Sequence, residues 1–71
     1  MKQLWTILKS ELKMNENIWI TTQDKFNSND SEWWKFEEFK HDEFEKLFSK
    51  YNTKHKVVRY WHEDGLCIIL K

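Results

Sequence analysis

Three histidines and one cysteine are the side chains best suited to metal binding or nucleophilic chemistry: His41, His55, His62 and Cys67. None of them shows the paired spacing that closes a tetrahedral zinc site. If a two-residue turn at Asp64-Gly65 joined two strands, His62 would lie opposite Cys67. Two ligands do not complete a metal site, so we expect neither a metal nor a cofactor.

The same residues give little basis for catalysis. Cys67 lies in the apolar run 66–71, where a thiol usually packs in the core and stays unreactive. His62, its nearest candidate base, would need a third group to orient it and an open pocket beside it. A chain of 71 residues leaves little room for a substrate cleft. We therefore expect a protein that is not an enzyme.

Residues 31–48 are the most unusual stretch, with six aromatic side chains, six carboxylates and three lysines. Asn29, Asp30 and Ser31 predict the start of a helix that runs to about residue 51. One side of this helix is apolar and should face the core: Trp33, Phe36, Phe44, Leu47, Phe48 and Tyr51. Trp34 and Phe39 fall outside that apolar stripe, so a single-sided helix does not explain them.

Two interpretations of Trp34 and Phe39 stay open. In the first, the rest of the domain buries them, or the helix breaks near His41, with Asp42 and Glu45 forming a capping box for a second short helix. In the second, both rings are exposed anchors on an acidic face, since Trp is enriched at binding hot spots. The partner-binding residues predicted by the second interpretation are Trp34, Glu37, Glu38, Phe39, Asp42 and Glu45.

An acidic face that carries rings suits a protein partner with a basic surface. Such surfaces include the nucleic-acid grooves of DNA- and RNA-handling enzymes, where carboxylates can stand in for phosphates. Charges would orient the encounter, and the rings would supply most of the affinity. The leading hypothesis is a small protein-binding module, an inhibitor of the kind that phages and mobile elements make, which occludes the basic surface of its target.

Residues 46–62 form a second candidate surface, in which basic side chains alternate with rings. That combination is typical of single-strand binding, because lysines neutralise phosphates and rings stack on bases. The alternative hypothesis is therefore nucleic-acid binding by Lys50, Lys54, Lys56, Arg59 and Trp61. A third hypothesis is a homo-oligomeric structural protein, in which the surplus rings meet those of a second copy.

The elements that position these residues follow the order α–β–α–β–β. A leucine every fourth residue predicts a first helix over 2–14, capped by Asn15, and residues 17–22 alternate as in a strand. Residues 54–62 and 66–71 predict a hairpin. Its second strand is apolar without alternation, so either both its faces are covered or it is central. We expect an α+β fold with a three-stranded antiparallel sheet packed by helices.

A break in the second helix would change the order to α–β–α–α–β–β. That order resembles a winged helix, in which the second short helix lies in the major groove and the terminal hairpin is the wing. The resemblance implies a frame on which the basic residues of 46–62 would bind nucleic acid.

The length and charge of the chain limit the domain organisation and the cellular locations that we expect. The 71 residues predict a single domain over 1–71, and twelve rings of about 150–250 Å² each would compensate for its small core. The net charge is zero, but residues 1–45 carry six basic and ten acidic side chains, whereas residues 46–71 carry six and two. No stretch approaches the roughly 20 apolar residues of a membrane span. The charged side chains within residues 1–14 do not fit a signal peptide, so we expect a cytoplasmic protein.

Overall fold

The computed structural model describes residues 1–26 and 35–71. These residues form, in chain order, α1 (Leu4–Glu11), β1 (Ile18–Thr22), β2 (Glu37–Phe39), α2 (Phe44–Lys50), β3 (Val57–His62) and β4 (Leu66–Leu70). The predicted α+β class is therefore confirmed. The observed order, α–β–β–α–β–β, differs from both predicted orders, including the one that resembles a winged helix.

The strands form one mixed sheet of four in the order β2-β1-β4-β3, instead of the three antiparallel strands predicted. β1 and β4 are parallel neighbours at the centre, with Ile18 opposite Leu66 and Thr22 opposite Leu70. β2 pairs antiparallel with β1, and β3 pairs antiparallel with β4. All residues of β4 are buried, so its apolar run is a central strand, as predicted.

Both helices pack on one face of the sheet and form the larger core. Leu4, Ile7 and Leu8 of α1 and Leu47 of α2 are buried against alternate residues of β1 and β4. This alternation follows from the strand period of two, which directs every second side chain to the same face. Within the described ranges, neither helix is long and apolar enough to cross a membrane.

The opposite face of the sheet carries a second, smaller core. Phe36, Cys67 and Ile69 are buried there. Three partly buried rings pack against them, those of Trp19, Phe26 and Trp61. The Phe26 and Phe36 rings meet edge to face, with centroids 5.3 Å apart. Because each face of the sheet has its own apolar layer, the fold uses aromatic residues on both sides.

The prediction of one helix over residues 31–51 is wrong for the described part of that range. β2 occupies Glu37–Phe39, a turn follows, and only Phe44–Lys50 is helical. Phe36 and Phe39 are three residues apart, a spacing that a helix places on one side and a strand on opposite faces. Phe39 joins the larger core and Phe36 the smaller one.

The break near His41 lies where the alternative interpretation placed it, but its chemistry differs. Glu43, not Asp42, precedes α2, and its carboxylate accepts a hydrogen bond from the Lys40 amide at 2.8 Å. The chain before the break is a strand and not a helix. The capping box predicted for Asp42 and Glu45 is therefore replaced by a turn that Glu43 closes.

The first helix is shorter than the leucine repeat predicts. α1 ends at Glu11, and the next residue, Leu12, is extended with φ −71° and ψ 121°. Asn15 does not cap the helix: it adopts a φ of +62° in a turn closed by a 3.1 Å hydrogen bond from the Glu16 amide to the Lys13 carbonyl. Asn tolerates this left-handed region better than most residues. The turn leads the chain back into β1.

Candidate functional site

The outer edge of β3, one of the two end strands of the sheet, is a candidate surface for binding another chain. β3 lies at the end of the sheet order, so one of its sides has no neighbouring strand among the described residues. An edge strand presents unpaired N–H and C=O groups that can pair with a further strand. The sequence predicted a strand here, but only the sheet order places that strand at an edge.

The register decides which backbone groups of β3 are open. The Glu63 amide donates to the Gly65 carbonyl at 2.8 Å, so the His62–Leu66 pair is the kind whose own backbone groups point away from the partner strand. The backbone N–H and C=O groups of Tyr60, two residues earlier, also point away from β4, because the hydrogen-bonding pattern repeats every second residue. No described residue forms a hydrogen bond with the outward N–H and C=O groups of Tyr60 and His62.

The first part of the β3 edge is already occupied by the N-terminal segment. The Val57 amide donates to the Lys2 carbonyl at 2.8 Å, and Gln3 and Lys56 form an antiparallel bridge. The register also shifts between Val57 and Arg59, and such a bulge ends regular pairing locally. The open part of the edge is therefore short and runs from Val58 to His62.

Two clefts flank this open stretch, one on each face of the sheet. The cleft on the helix side has a volume of about 400 Å³ and is lined by Lys2, Ile7, Val57, Val58, Arg59 and Tyr60. The cleft on the other side, about 180 Å³, is lined by Gln23, Phe26, Val58, Arg59 and Ile69. Val58 and Tyr60 are 39% and 37% exposed. The edge therefore offers apolar contact on both faces.

Segments that carry lysines meet at the end of the sheet where β3 begins and β4 ends. The Lys71 amide donates to the Lys56 carbonyl at 2.9 Å, and the Val57 amide to that of Lys2. These backbone bonds bring together exposed lysines from three distant parts of the sequence. We refer to Lys2, Lys54, Lys56 and Lys71 as the basic end.

Carboxylates surround the opposite end of β3, at the hairpin. His62 Nδ1 lies 2.8 Å from a Glu16 oxygen, and its Nε2 lies 3.8 Å from a Glu11 oxygen. Partial burial opposes the charged form of Glu16, but hydrogen bonds from His62 and the Lys13 amide together lower its pKa below the ordinary 4.5. Glu63 and Asp64 extend this acidic end into the turn.

The described residues of the predicted acidic aromatic face do not share a face. Trp34, like Trp33, lies outside the described residues. The expectation that Phe39 is exposed is wrong, because it is 1% exposed and lies in the larger core. Its position follows from the β1–β2 pairing, which sets it opposite Ile18.

The carboxylates of that predicted face are divided among different contacts. Glu37 forms an ion pair with Lys50 and accepts a hydrogen bond from the Tyr51 hydroxyl at 3.3 Å. Glu38 accepts a hydrogen bond from the Asn17 side chain at 2.9 Å. Asp42 and Glu45 are exposed on the turn and on α2. Partner binding by any of these residues stays a prediction.

The residues predicted to bind nucleic acid are also divided. Lys50 is paired with Glu37, on the side of the sheet that α2 covers. Arg59 lies over the Trp61 ring, with its guanidinium carbon 5.0 Å from the ring centroid, on the other face. Lys54 and Lys56 belong to the basic end. Of the predicted set, only these two lysines join a positive cluster, whose other members, Lys2 and Lys71, were not predicted.

The geometry around Cys67 gives no nucleophilic arrangement. Burial raises the pKa of the Cys67 thiol to about 11, so it is protonated at neutral pH. His62 lies opposite Leu66 and not opposite Cys67, because the hairpin loop has three residues instead of two. His62 and Cys67 therefore face opposite sides of the sheet. Among the described residues, no group of three His, Cys, Asp or Glu side chains is placed to hold a metal ion.

Comparisons with known proteins give no relative from which a role could be transferred. No family model matches the chain, no curated protein matches it, and no solved structure matches it. Inference about function therefore depends on the residues and on the surfaces that the fold creates.

Proposed function

We propose that the chain is a non-catalytic protein-binding module that receives an extended segment of its partner at the β3 edge. The observation that carries the proposal is the open backbone of Tyr60 and His62 between two apolar clefts. Strand addition to an exposed edge is a recurring mode of peptide recognition, in which main-chain bonds give affinity and side-chain pockets give specificity.

The free energy available from backbone hydrogen bonds indicates that tight binding also needs side-chain contacts in the two clefts. Each hydrogen bond contributes about 0.5–1.5 kcal/mol net, so the four outward groups give roughly 4 kcal/mol, which corresponds to millimolar affinity. Tighter binding requires side chains of the partner to fill the clefts. Val58, which lines both clefts, connects the two contributions.

The proposal keeps the predicted class, a protein-binding protein without catalysis, and moves the contact. The sequence favoured an acidic helix that meets a basic partner. In the fold, Phe39 is in the core and two of the predicted carboxylates have contacts within the chain, which removes most of that surface. An inhibitor role, in which the bound partner loses a functional surface, stays a prediction.

A substitution at Tyr60 tests the proposal because its amide points outward. Tyr60→Pro removes that donor without removing a hydrogen bond to β4, and Tyr60→Val removes the same ring while keeping the donor. We expect Tyr60→Val to weaken capture of a protein partner from nuclease-treated lysate and Tyr60→Pro to abolish it. Circular dichroism and thermal melting check that both variants stay folded.

Equal capture by Tyr60→Pro and the unchanged chain would contradict the proposal, because the contact would then lie elsewhere. Amide hydrogen exchange of the unchanged chain gives a second test that needs no variant. The Tyr60 and His62 amides should become protected when the captured partner is added. If they exchange at the same rate with and without the partner, the edge is not the binding surface.

The basic end supports a second candidate function, nucleic-acid binding. The backbones of Lys2, Lys56 and Lys71 meet at this end of the sheet, with Lys54 two residues before Lys56, and several lysines at one end of a domain can bind phosphates with a strong salt dependence. Titration of labelled single and double strands at two salt concentrations tests it. Affinity that falls steeply with salt and is lost in a Lys54→Glu/Lys71→Glu variant would favour this candidate over strand addition.

A further inference from the structure

We infer that the segment received by β3 is an acidic extended peptide, with adjacent apolar residues for the two clefts and carboxylates that lie toward the basic end. This inference rests on the proposed function and adds the chemistry of the partner. It follows from the charges around the open edge, from the position of the clefts and from the difference between the two ends of β3.

The described charged side chains that line the two clefts are positive. Arg59 lines both clefts and Lys2 lines the larger one, and no carboxylate is among the described residues that line either cleft. Lys56 is exposed and directly precedes β3. A peptide with carboxylates is therefore attracted, and a basic peptide is repelled.

The clefts select the spacing of the apolar residues. They lie on opposite faces of the sheet and share Val58 and Arg59. Neighbouring side chains of an extended peptide point to opposite faces. Two adjacent apolar residues, one directed to each cleft, therefore match this arrangement, and the larger one belongs on the helix side.

The two ends of β3 give the peptide a polarity. At the hairpin end, His62 is engaged by the carboxylates of Glu16 and Glu11, so further carboxylates there are repelled. At the other end, the bridge between Gln3 and Lys56 brings the N-terminal segment to the start of β3. Lys2 and Lys56 therefore lie at the same end of the strand, on opposite faces of the sheet. The acidic residues of the peptide are therefore expected beside Lys2 and Lys56.

Three fluorescein-labelled synthetic peptides of ten residues test the inference. Each has an adjacent Val-Ile pair followed by three variable residues, which are Glu, Gln or Lys. Fluorescence anisotropy with the full chain should show that the Glu peptide binds at least about tenfold more tightly than the Gln peptide at low salt. At 500 mM salt this ratio should shrink, because salt screens exposed charges.

Charge reversal supplies a matched control. In a Lys2→Glu/Lys56→Glu variant, we expect the preference to reverse in favour of the Lys peptide. A Lys9→Glu/Lys46→Glu variant has the same change in net charge on exposed positions of α1 and α2. It should keep the preference for the Glu peptide. Equal effects of both variants would show a response to net charge alone and would overturn the inference.

The outcomes separate this inference from the proposed function. In one outcome, Tyr60→Pro abolishes peptide binding, but the unchanged chain binds the Glu, Gln and Lys peptides equally. The acidic-peptide inference then fails, and strand addition stands. If Tyr60→Pro binds the Glu peptide as well as the unchanged chain does, both fail. If the chain alone forms a dimer that Tyr60→Pro dissociates, the occupant of the edge is a second copy, and the inference is overturned.

Discussion

At the scale of single residues, Thr21 is the side chain least suited to its place. It is 1% exposed, and its hydroxyl has no hydrogen-bond partner among the described residues. The strand period places it with Trp19 on the face of the smaller core. A buried hydroxyl without a partner costs about 1–3 kcal/mol, so this position lowers the stability of the fold.

Thr21→Val should stabilise the protein, because it replaces the hydroxyl with a methyl group of similar shape. We expect the free energy of unfolding to rise by about 1 kcal/mol, which raises the melting temperature of a domain this size by about 4–8 °C. Thermal and urea unfolding measure the change. Thr22→Val is the matched control, and it should lower stability, because the Thr22 hydroxyl hydrogen-bonds the Asp24 carboxylate. A Thr21→Val variant less stable than the unchanged chain would show that the hydroxyl is satisfied.

At the scale of elements, the hairpin between β3 and β4 depends on Gly65. Its φ is +129°, and a Cβ there would lie 2.6 Å from the Asn17 carbonyl oxygen and 3.0 Å from the Trp19 ring. The Trp19 indole also donates to the Asp64 carbonyl at 3.0 Å. The turn is thus packed against the start of β1, which ties the edge hairpin to the centre of the sheet.

Gly65→Ala should destabilise the protein by about 2–4 kcal/mol, through backbone strain and a clash with a carbonyl that has little room to move. Urea unfolding measures the loss. Asp64→Gly is the control, because Asp64 also has a positive φ, +54°, where glycine is well tolerated. If Gly65→Ala were as stable as Asp64→Gly, the close approach at Asn17 would not constrain the turn.

A second connection between elements joins the turn between α1 and β1 to β3 through Glu16 and His62. Because the pKa of Glu16 is lower in the folded chain than its ordinary 4.5, the ionised form stabilises the fold. That stabilisation is complete well above pH 4.5 and is lost as pH falls through the lowered pKa.

Glu16→Gln should therefore reduce stability by about 1 kcal/mol at pH 7, and the difference from the unchanged chain should shrink as pH falls below 4.5. Urea unfolding at pH 7 and at several values between about pH 5 and 3 measures this convergence. Glu45→Gln on the exposed surface of α2 is the control and should change little at any pH. A difference that stays constant with pH would exclude a contribution from Glu16 ionisation.

At the scale of the whole molecule, a small domain depends on a few large buried side chains. For a chain of this length, about 0.05–0.15 kcal/mol per residue gives a total stability of only about 4–11 kcal/mol. Phe39 is among the largest fully buried side chains. Its side chain lies in the larger core, and its ring meets that of Tyr51 edge to face with the ring centroids 6.4 Å apart.

Phe39→Ala should cost about 3–5 kcal/mol, a large share of the total stability. We expect a much lower melting temperature or partial unfolding at 25 °C, measured by circular dichroism. Lys40→Ala, at the exposed neighbouring position, should change stability by less than about 0.5 kcal/mol. If Phe39→Ala were as stable as the unchanged chain, Phe39 would not be a core residue, and its predicted role as an exposed anchor would be supported.

Charge segregation also belongs to the whole molecule. The sequence places negative charge in residues 1–45 and positive charge in residues 46–71. The fold rearranges this pattern: Lys2 joins Lys54, Lys56 and Lys71 at one end of the sheet, and Glu63 and Asp64 join Glu11 and Glu16 at the other. The result is positive charge at the start of β3 and negative charge at its end, which a count of charges along the sequence does not predict.

Local patterns predicted the elements whose periodicity was clear. The leucine repeat predicted α1, alternation predicted β1, and the unbroken apolar run predicted that β4 is central. Asp64-Gly65 predicted the hairpin. Residues 36–39 were predicted wrongly, because the apolar stripe through Phe36, Phe44 and Leu47 fits a helix by period alone. Phe39, which did not fit that stripe, belongs to a strand that pairs with β1.

The sequence by itself determined the α+β class, since that class follows from periods and residue types that act locally. Only the tertiary structure decided that β3 is an edge, that Phe39 is buried and that lysines from three segments meet. The physical reason is that strand order and pairing register arise from contacts between residues far apart in the chain. Both determine which backbone groups stay open, and therefore where a partner can bind.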